Sequence, residues 1–280
     1  MTKQRVDTLL VDRGLADTPA KAQALVLAGQ VRSGEKPVAK PGHLIDDALP
    51  LAVDLGPRYV SRGGDKLEYA FAAFNLDVTG LTAADVGAST GGFTDCLLQH
   101  AASCVYAIDV GKAQLDYRLR IDPRVVVMEG INVRHIGPLP EPVDIVTIDV
   151  SFISLRLVLP VVATWFTSLP GVRFQPDGGG AGARGSIVAL FKPQFEANKG
   201  ETPRGGVIRD PLLHATLIGR FASWCTKNGF RILDLTSSPI LGAEGNREFL
   251  FHLRPGNVLP SPAHARPGVR LDGRGVGGEG

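Results

Sequence analysis

The stretch "AADVGASTGGFTDCLLQ", Ala83 to Gln99, limits the possible folds more than any other part of the chain. An apolar run ends in a glycine-rich turn and passes directly into a helical pattern, as where backbone must approach a ligand. The alternation continues on both sides. "DKLEYAFAAFNL", "GGFTDCLLQHA", "LRLVLPVVATWFTSL" and "DPLLHATLIGRFASWCTKNG" read as helices. "TAADVGA", "SCVYAIDVG", "RVVVMEGINV", "VDIVTIDVSF" and "GSIVALFKPQFE" read as strands, and "FRILDLTSSPI" with "NREFLFHLR" closes as a hairpin. Such a pattern predicts an α/β fold: a Rossmann-like, mainly parallel sheet with helices on both faces and an antiparallel edge hairpin.

A smaller unit precedes this sheet. In "RVDTLLVDRGLA", Val6, Leu9, Leu10 and Leu15 recur at helical spacing. Thr18-Pro19 reads as an N-cap and first helical residue, "AKAQALVLAGQV" as a second helix, and Gly29 as its stop. Short strand-like pieces follow, so residues 1–56 are expected to form a small α+β domain. Residues 57–64 would be a linker, 65–254 the large domain and 255–280 a disordered tail rich in Pro and Gly. "RFQPDGGGAGARGS" reads as a glycine-rich insertion.

Composition excludes several classes. The apolar runs are too short for a membrane-spanning helix, and "MTKQRVDTLL" lacks a signal core, so a cytoplasmic protein is expected. Three cysteines without a CxxC pair argue against a disulfide framework, and the histidines show no metal-ligand spacing in sequence, so no metal is expected. Residues 1–64 carry nine Lys/Arg against seven Asp/Glu, residues 65–250 carry 17 against 19, and the last thirty return to a net +2. Mildly basic ends fit either nucleic-acid contact or ordinary solvated surface.

The turn narrows its own ligand. A triphosphate loop would end in Gly-Lys-Ser/Thr, but here stands Gly92-Phe93-Thr94. A dinucleotide fingerprint would space its glycines GxGxxG, whereas here Gly87, Gly91 and Gly92 flank Ala88, Ser89 and Thr90. Asp109, followed by Val110, ends the next strand, where a carboxylate commonly binds ribose hydroxyls. Asp85 would oppose a pyrophosphate and tolerate a cation. S-adenosylmethionine fits, with its ribose and sulfonium; a turn without ligand is the alternative. Asn132 is a candidate for the adenine side, or else a loop cap.

Four charged residues fall at strand ends or near them. Lys66 precedes the first strand of the sheet, Asp149 and Lys192 end two strands, and Glu248 lies in the last, "GNREFLF". Strand carboxyl ends converge on the cofactor crevice, so these four would meet there. Such a group suits methylation of a ribose hydroxyl, a poor nucleophile that must lose its proton. A lysine with a lowered pKa can take it. Taken singly, each is more often an ordinary surface charge.

The blocks "YVSRGGDKLEYAF", "DVGASTGGFTDCLLQ", "YAIDVGKAQLDYRLR", "IDVSFISL", "LFKPQFEA" and "GNREFLF" resemble the TlyA family, often labelled haemolysin A. The resemblance covers about residues 5–254 and implies an S4 RNA-binding domain joined to an FtsJ-like class I methyltransferase domain. It implies methyl transfer from S-adenosylmethionine to a ribose 2′-hydroxyl of bacterial ribosomal RNA or ribosomal subunits. It also implies a catalytic tetrad of Lys66, Asp149, Lys192 and Glu248, with Lys192 as base. Lys3, Arg5, Arg13, Lys21, Arg32 and Arg62 become candidates for RNA phosphates. Two departures stand out: Thr18-Pro19 replaces the usual Ser-Arg of S4 domains, and Tyr59 stands where members often carry Trp. A non-catalytic RNA-binding or ribosome-assembly factor, and a membrane-active haemolysin, are the competing readings.

Overall fold

The computed structural model describes residues 2–54, 56–166 and 183–256. Two compact units divide between Arg58 and Tyr59.

Unit 1 opens with β1 (Lys3–Arg5), α1 (Val6–Asp12) and α2 (Pro19–Leu27). The strands β2 (Val31–Ser33), β3 (Lys36–Pro37), β4 (Leu44–Asp46) and β5 (Leu51–Val53) follow. β1 pairs with β4, while β2 lies between β3 and β5. Thr18 caps α2 by accepting the Lys21 amide, Pro19 is its first residue, and Gly29 just past its end is left-handed, with φ +73°. Val6, Leu9, Leu10, Leu25 and Val26 pack into one core. Leu15 departs from the expected apolar face: α1 stops at Asp12 and a left-handed Gly14 turns Leu15 outward, 37% exposed.

Unit 2 starts earlier than the expected domain boundary. Tyr59 is buried in its core and α3 (Gly63–Phe74) already begins at Gly63, so most of the 57–64 stretch belongs to the folded unit. The elements β6 (Thr82–Val86), α4 (Gly92–Gln99), β7 (Cys104–Asp109), α5 (Tyr117–Arg120), β8 (Val125–Glu129) and β9 (Ile145–Ile148) follow. Then come α6 (Leu155–Val162), β10 (Ser186–Phe191), α7 (Pro193–Glu196), α8 (Pro211–Lys227), β11 (Phe230–Ser237) and β12 (Phe249–Pro255). The seven strands lie in the order β11-β12-β10-β9-β6-β7-β8. β8, β7, β6, β9 and β10 are parallel, and β12 runs antiparallel to both its neighbours.

Both sheet faces are covered, which is why β9 and β10 are continuous apolar runs. Val86, Ile148, Ile187 and Phe191 face α6 and α8; Ala83, Ile145, Val188 and Leu250 face α3 and α4. The sequence pattern missed α7, a single turn read as the tail of a strand. Pro255, expected in the tail, ends β12 opposite Phe230. The tail from residue 257 and residues 173–182 of the glycine-rich insertion lie outside the described residues.

Candidate active site

β6 ends in the turn singled out by the sequence. The amides of Gly87 and Ala88 donate to the Ile108 carbonyl, at 2.8 and 3.2 Å, which ties the turn to β7. Gly87 has φ +85°, and a Cβ there would meet the Asp149 carbonyl, just past the end of the neighbouring β9. Close approach of the backbone after β9 therefore already requires a glycine here, and the same residue borders the cavities described below. Ser89 is also left-handed, with φ +49°. Its amide donates to Asp109 Oδ2 at 2.8 Å, and the Gly111 amide donates to Oδ1 at 2.6 Å. Asp109 is thus fixed at the end of β7 with lone pairs left for a ligand.

Two cavities open at this end of the sheet. One, about 660 Å³, is lined by Gly87, Ser89, Asp109, Val110, Asn132 and Asp149, with Ile131 and Leu157 as apolar wall. The other, about 640 Å³, is lined by Arg62, Lys66, Ala88, Thr90, Gly92, Asp149, Lys192 and Glu248. Gly87, Ser89, Asp149, Ser151 and Phe152 border both, so the two adjoin. An adenosyl group fits the first: a fixed carboxylate for ribose hydroxyls, an apolar wall for a base, and a glycine turn alongside.

Two of the expected cofactor residues border neither cavity. Asp85 shares the sheet face of Ala83 and points under α4. It is fully buried, accepting hydrogen bonds from Thr94 Oγ1 at 2.7 Å and Thr147 Oγ1 at 3.2 Å. Burial pushes its pKa up to about 7. Gly91, at φ +98°, packs against Leu115 and Leu119. Asn132 borders the cavity and also caps a short 3₁₀ turn by accepting the Arg134 amide.

The four charged residues come together as two pairs. Lys66, in the first turn of α3, donates to Glu248 Oε2 at 2.6 Å, both nearly buried. Lys192, just past β10, lies 2.7 Å from Asp149 Oδ1 and donates to Ser151 Oγ at 2.9 Å. The Asp149 contact is an ion pair not aligned as a hydrogen bond, since Oδ1 has no properly directed donor. The positive charge of Lys66 is matched by Glu248 and does not face Lys192 bare. Glu248 precedes β12, and the reversed direction of that strand brings it to the carboxyl end of β10.

Sequence reasoning passed over Ser151 and Phe152. Phe152 is 91% exposed, left-handed at φ +63°, and 5.0 Å from the Phe195 ring. An exposed aromatic in a strained backbone beside a cavity signals function, but only the backbone angle reveals the strain. The buried Glu196 carboxylate holds this segment by accepting Ser154 Oγ at 2.7 Å and the Leu155 amide at 2.6 Å.

The candidates of unit 1 are exposed, yet several are committed within the unit. Arg5 bonds Asp7 twice, at 3.0 and 2.7 Å. Arg13 donates to the carbonyls of Asp47 and Leu49, Arg32 to that of Glu35, and Lys21 pairs with Asp17. Lys3 is exposed on β1. The histidines show no metal-ligand spacing in sequence, yet one grouping forms in space: His100, Cys96 and Glu68 gather between α3 and α4. Helix packing brings Glu68 there from 32 positions away.

Comparison with known proteins agrees with the fold and the division into two units. Residues 59–255 match the model of the FtsJ-like methyltransferases, and residues 4–47 that of the S4 domain. The chain is 41% identical over 256 residues to the 16S/23S rRNA (cytidine-2′-O)-methyltransferase TlyA of Mycobacterium tuberculosis, covering 90% of each. It is 40% identical over 251 residues to Hemolysin A of Brachyspira hyodysenteriae, covering 89% of this chain and 98% of that one. A solved structure of a hemolysin-named protein from Streptococcus thermophilus superposes with a TM-score of 0.64 at 41% identity, covering 94% and 92% of the chains. No helix among the described residues is long and apolar enough to cross a membrane. With its S4 unit, its seven-stranded sheet and its paired lysines and carboxylates, the chain belongs to the FtsJ-like methyltransferase family.

Proposed function

We propose that this chain methylates a ribose 2′-hydroxyl of bacterial ribosomal RNA, using S-adenosylmethionine. The observation that carries this is the meeting of the two cavities at Asp149, with Asp109 on one side and Lys66, Lys192 and Glu248 on the other. Relatives are named for cytidine-2′-O-methylation, so a cytidine ribose is the proposed target.

Bound S-adenosylmethionine supplies an electrophilic methyl group on a sulfonium. Asp109 holds the cofactor ribose. Lys192 Nζ accepts the proton of the target hydroxyl, and Asp149 offsets the positive charge that results. Ser151 fixes the lysine's position. The Lys66–Glu248 pair presents charge and hydrogen-bonding capacity without leaving either group bare. Phe152, projecting at the junction, offers a face on which the target base stacks once it leaves its helix. Unit 1 supplies affinity for RNA through Lys3, Arg5, Arg13, Lys21 and Arg32, with Arg62 at the second cavity, and takes no part in the chemistry.

Purified protein incubated with methyl-labelled cofactor and ribosomal subunits tests the reading. Label on a ribose oxygen, absent with Asp149→Ala, is expected. Label on a base would overturn it, as would incorporation by Asp149→Ala at the parent rate. The haemolysin reading expects leakage of liposomes by the same preparation.

A further inference from the structure

Glu68, Cys96 and His100 border neither cavity and have no part in methyl transfer. Their ligand atoms, a carboxylate oxygen, a thiol sulfur and an imidazole nitrogen, all lie within 4.8 Å of one another. Cys96 lies in α4 and His100 caps its end, four positions on, so both side chains leave the same face of one turn. Glu68 reaches them from α3, its Oε2 2.6 Å from His100 Nε2. The Tyr59 hydroxyl donates to that same Oε2. Hydrogen bonding of this kind is what orients a carboxylate that ligates a metal.

We infer that Glu68, Cys96 and His100 form a zinc site that clasps α3 to α4. The donor set of sulfur, nitrogen and oxygen is the one zinc prefers over magnesium or calcium, which take oxygen ligands. A tetrahedral ion with bonds of about 2.0–2.3 Å sets its ligands closer together than 4.8 Å, within reach of small side-chain rotations. Binding releases the Cys96 thiol proton to solvent. His100 ligates through Nε2, with its remaining proton on Nδ1. Thiolate and carboxylate together neutralise the divalent charge.

The side chains of His100 and Glu68 are 32% and 33% exposed, which leaves an entry path and a fourth position for water. Both clasped helices begin at the second cavity, α3 with Lys66 and α4 with Gly92, so the metal stiffens the walls of that cavity from their far side.

The test titrates metal-stripped full-length protein with Co²⁺, then with Zn²⁺. One equivalent of Co²⁺ is expected to give a thiolate-to-cobalt charge-transfer band with tetrahedral d–d absorption, and one equivalent of Zn²⁺ to abolish it. Zinc should also raise the melting temperature. Cys96→Ala and His100→Ala should each lose the band, while Cys104→Ser keeps it. His100 is partly exposed at a helix end, so that variant should fold even if a change at the buried Cys96 does not. Tyr59→Phe should retain the band and weaken zinc by about 10- to 100-fold. Absence of the band in the parent would overturn the site. So would its persistence in folded His100→Ala, or its loss in Cys104→Ser.

Discussion

Replacing Asp85 by asparagine isolates the cost of a carboxylate buried beneath the active-site turn. Desolvation pushes its pKa from 3.8 to about 7; the Thr94 hydroxyl opposes the shift, and the Asp149 charge adds to it. A carboxyl whose folded pKa lies above its unfolded one holds its proton more tightly when folded. Its contribution is complete below the unfolded value and is lost as pH rises through the folded one. The interval is about three pH units at about 1.36 kcal/mol each, or about 4 kcal/mol. Asparagine keeps the shape, donates to one threonine hydroxyl and accepts from the other. Asp85→Asn should therefore exceed the parent in stability by up to about 4 kcal/mol near pH 8, with the gap closing toward about pH 4. Urea unfolding followed by tryptophan fluorescence reads this, because Trp165 and Trp224 both lie in unit 2. A gap that stays constant between about pH 5 and pH 8, or that widens toward acid, refutes the reasoning.

Other changes separate the roles of the site residues. Lys192→Arg keeps the charge but cannot shed a proton, so single-turnover methylation should fall by about 10²-fold or more with cofactor binding intact; activity within a few-fold of the parent defeats the base role. Lys66→Ala leaves Glu248 buried without its ammonium and should cost about 3–5 kcal/mol of unit 2 stability in the same urea assay. Asp109→Ala should weaken S-adenosylmethionine by about 10- to 100-fold in calorimetry, as charged hydrogen bonds are lost and two amides freed. Phe152→Ala should raise the KM for RNA, by about 1–3 kcal/mol of stacking, without changing cofactor affinity. Deleting residues 1–56 should abolish methylation of ribosomal substrate while sparing cofactor binding; a full rate would remove any role for unit 1.

The periodic elements were legible because both signals act locally. Alternation of apolar runs with helical faces gave the order of strands, and Thr18-Pro19 and the glycine turn marked starts and stops. What escaped depends on direction and on burial. Asp85 and Asp109 look alike in sequence as acids at strand ends, but Asp85 points under α4 while Asp109 turns to the crevice. The pairing of Lys66 with Glu248 and of Lys192 with Asp149 could not be read either, because it depends on which strands are neighbours. Gly91 was read as ligand-facing, yet it borders neither cavity and packs against Leu115 and Leu119. The cluster of Glu68, Cys96 and His100 was invisible for the same reason: one of its members arrives only through helix packing.

The reversal of β12 also bears on how the enzyme is made. Glu248 pairs with Lys66, 182 positions earlier, and β12 wedges between β10 and β11. During synthesis β11 emerges before the strand that joins it to the sheet, and β10 waits with one edge bare. Until β12 has left the ribosome, Lys66 lacks its partner carboxylate and two strands offer unpaired edges to other chains. A nascent chain is therefore at its most aggregation-prone just before it becomes able to act, and both conditions end with the same strand.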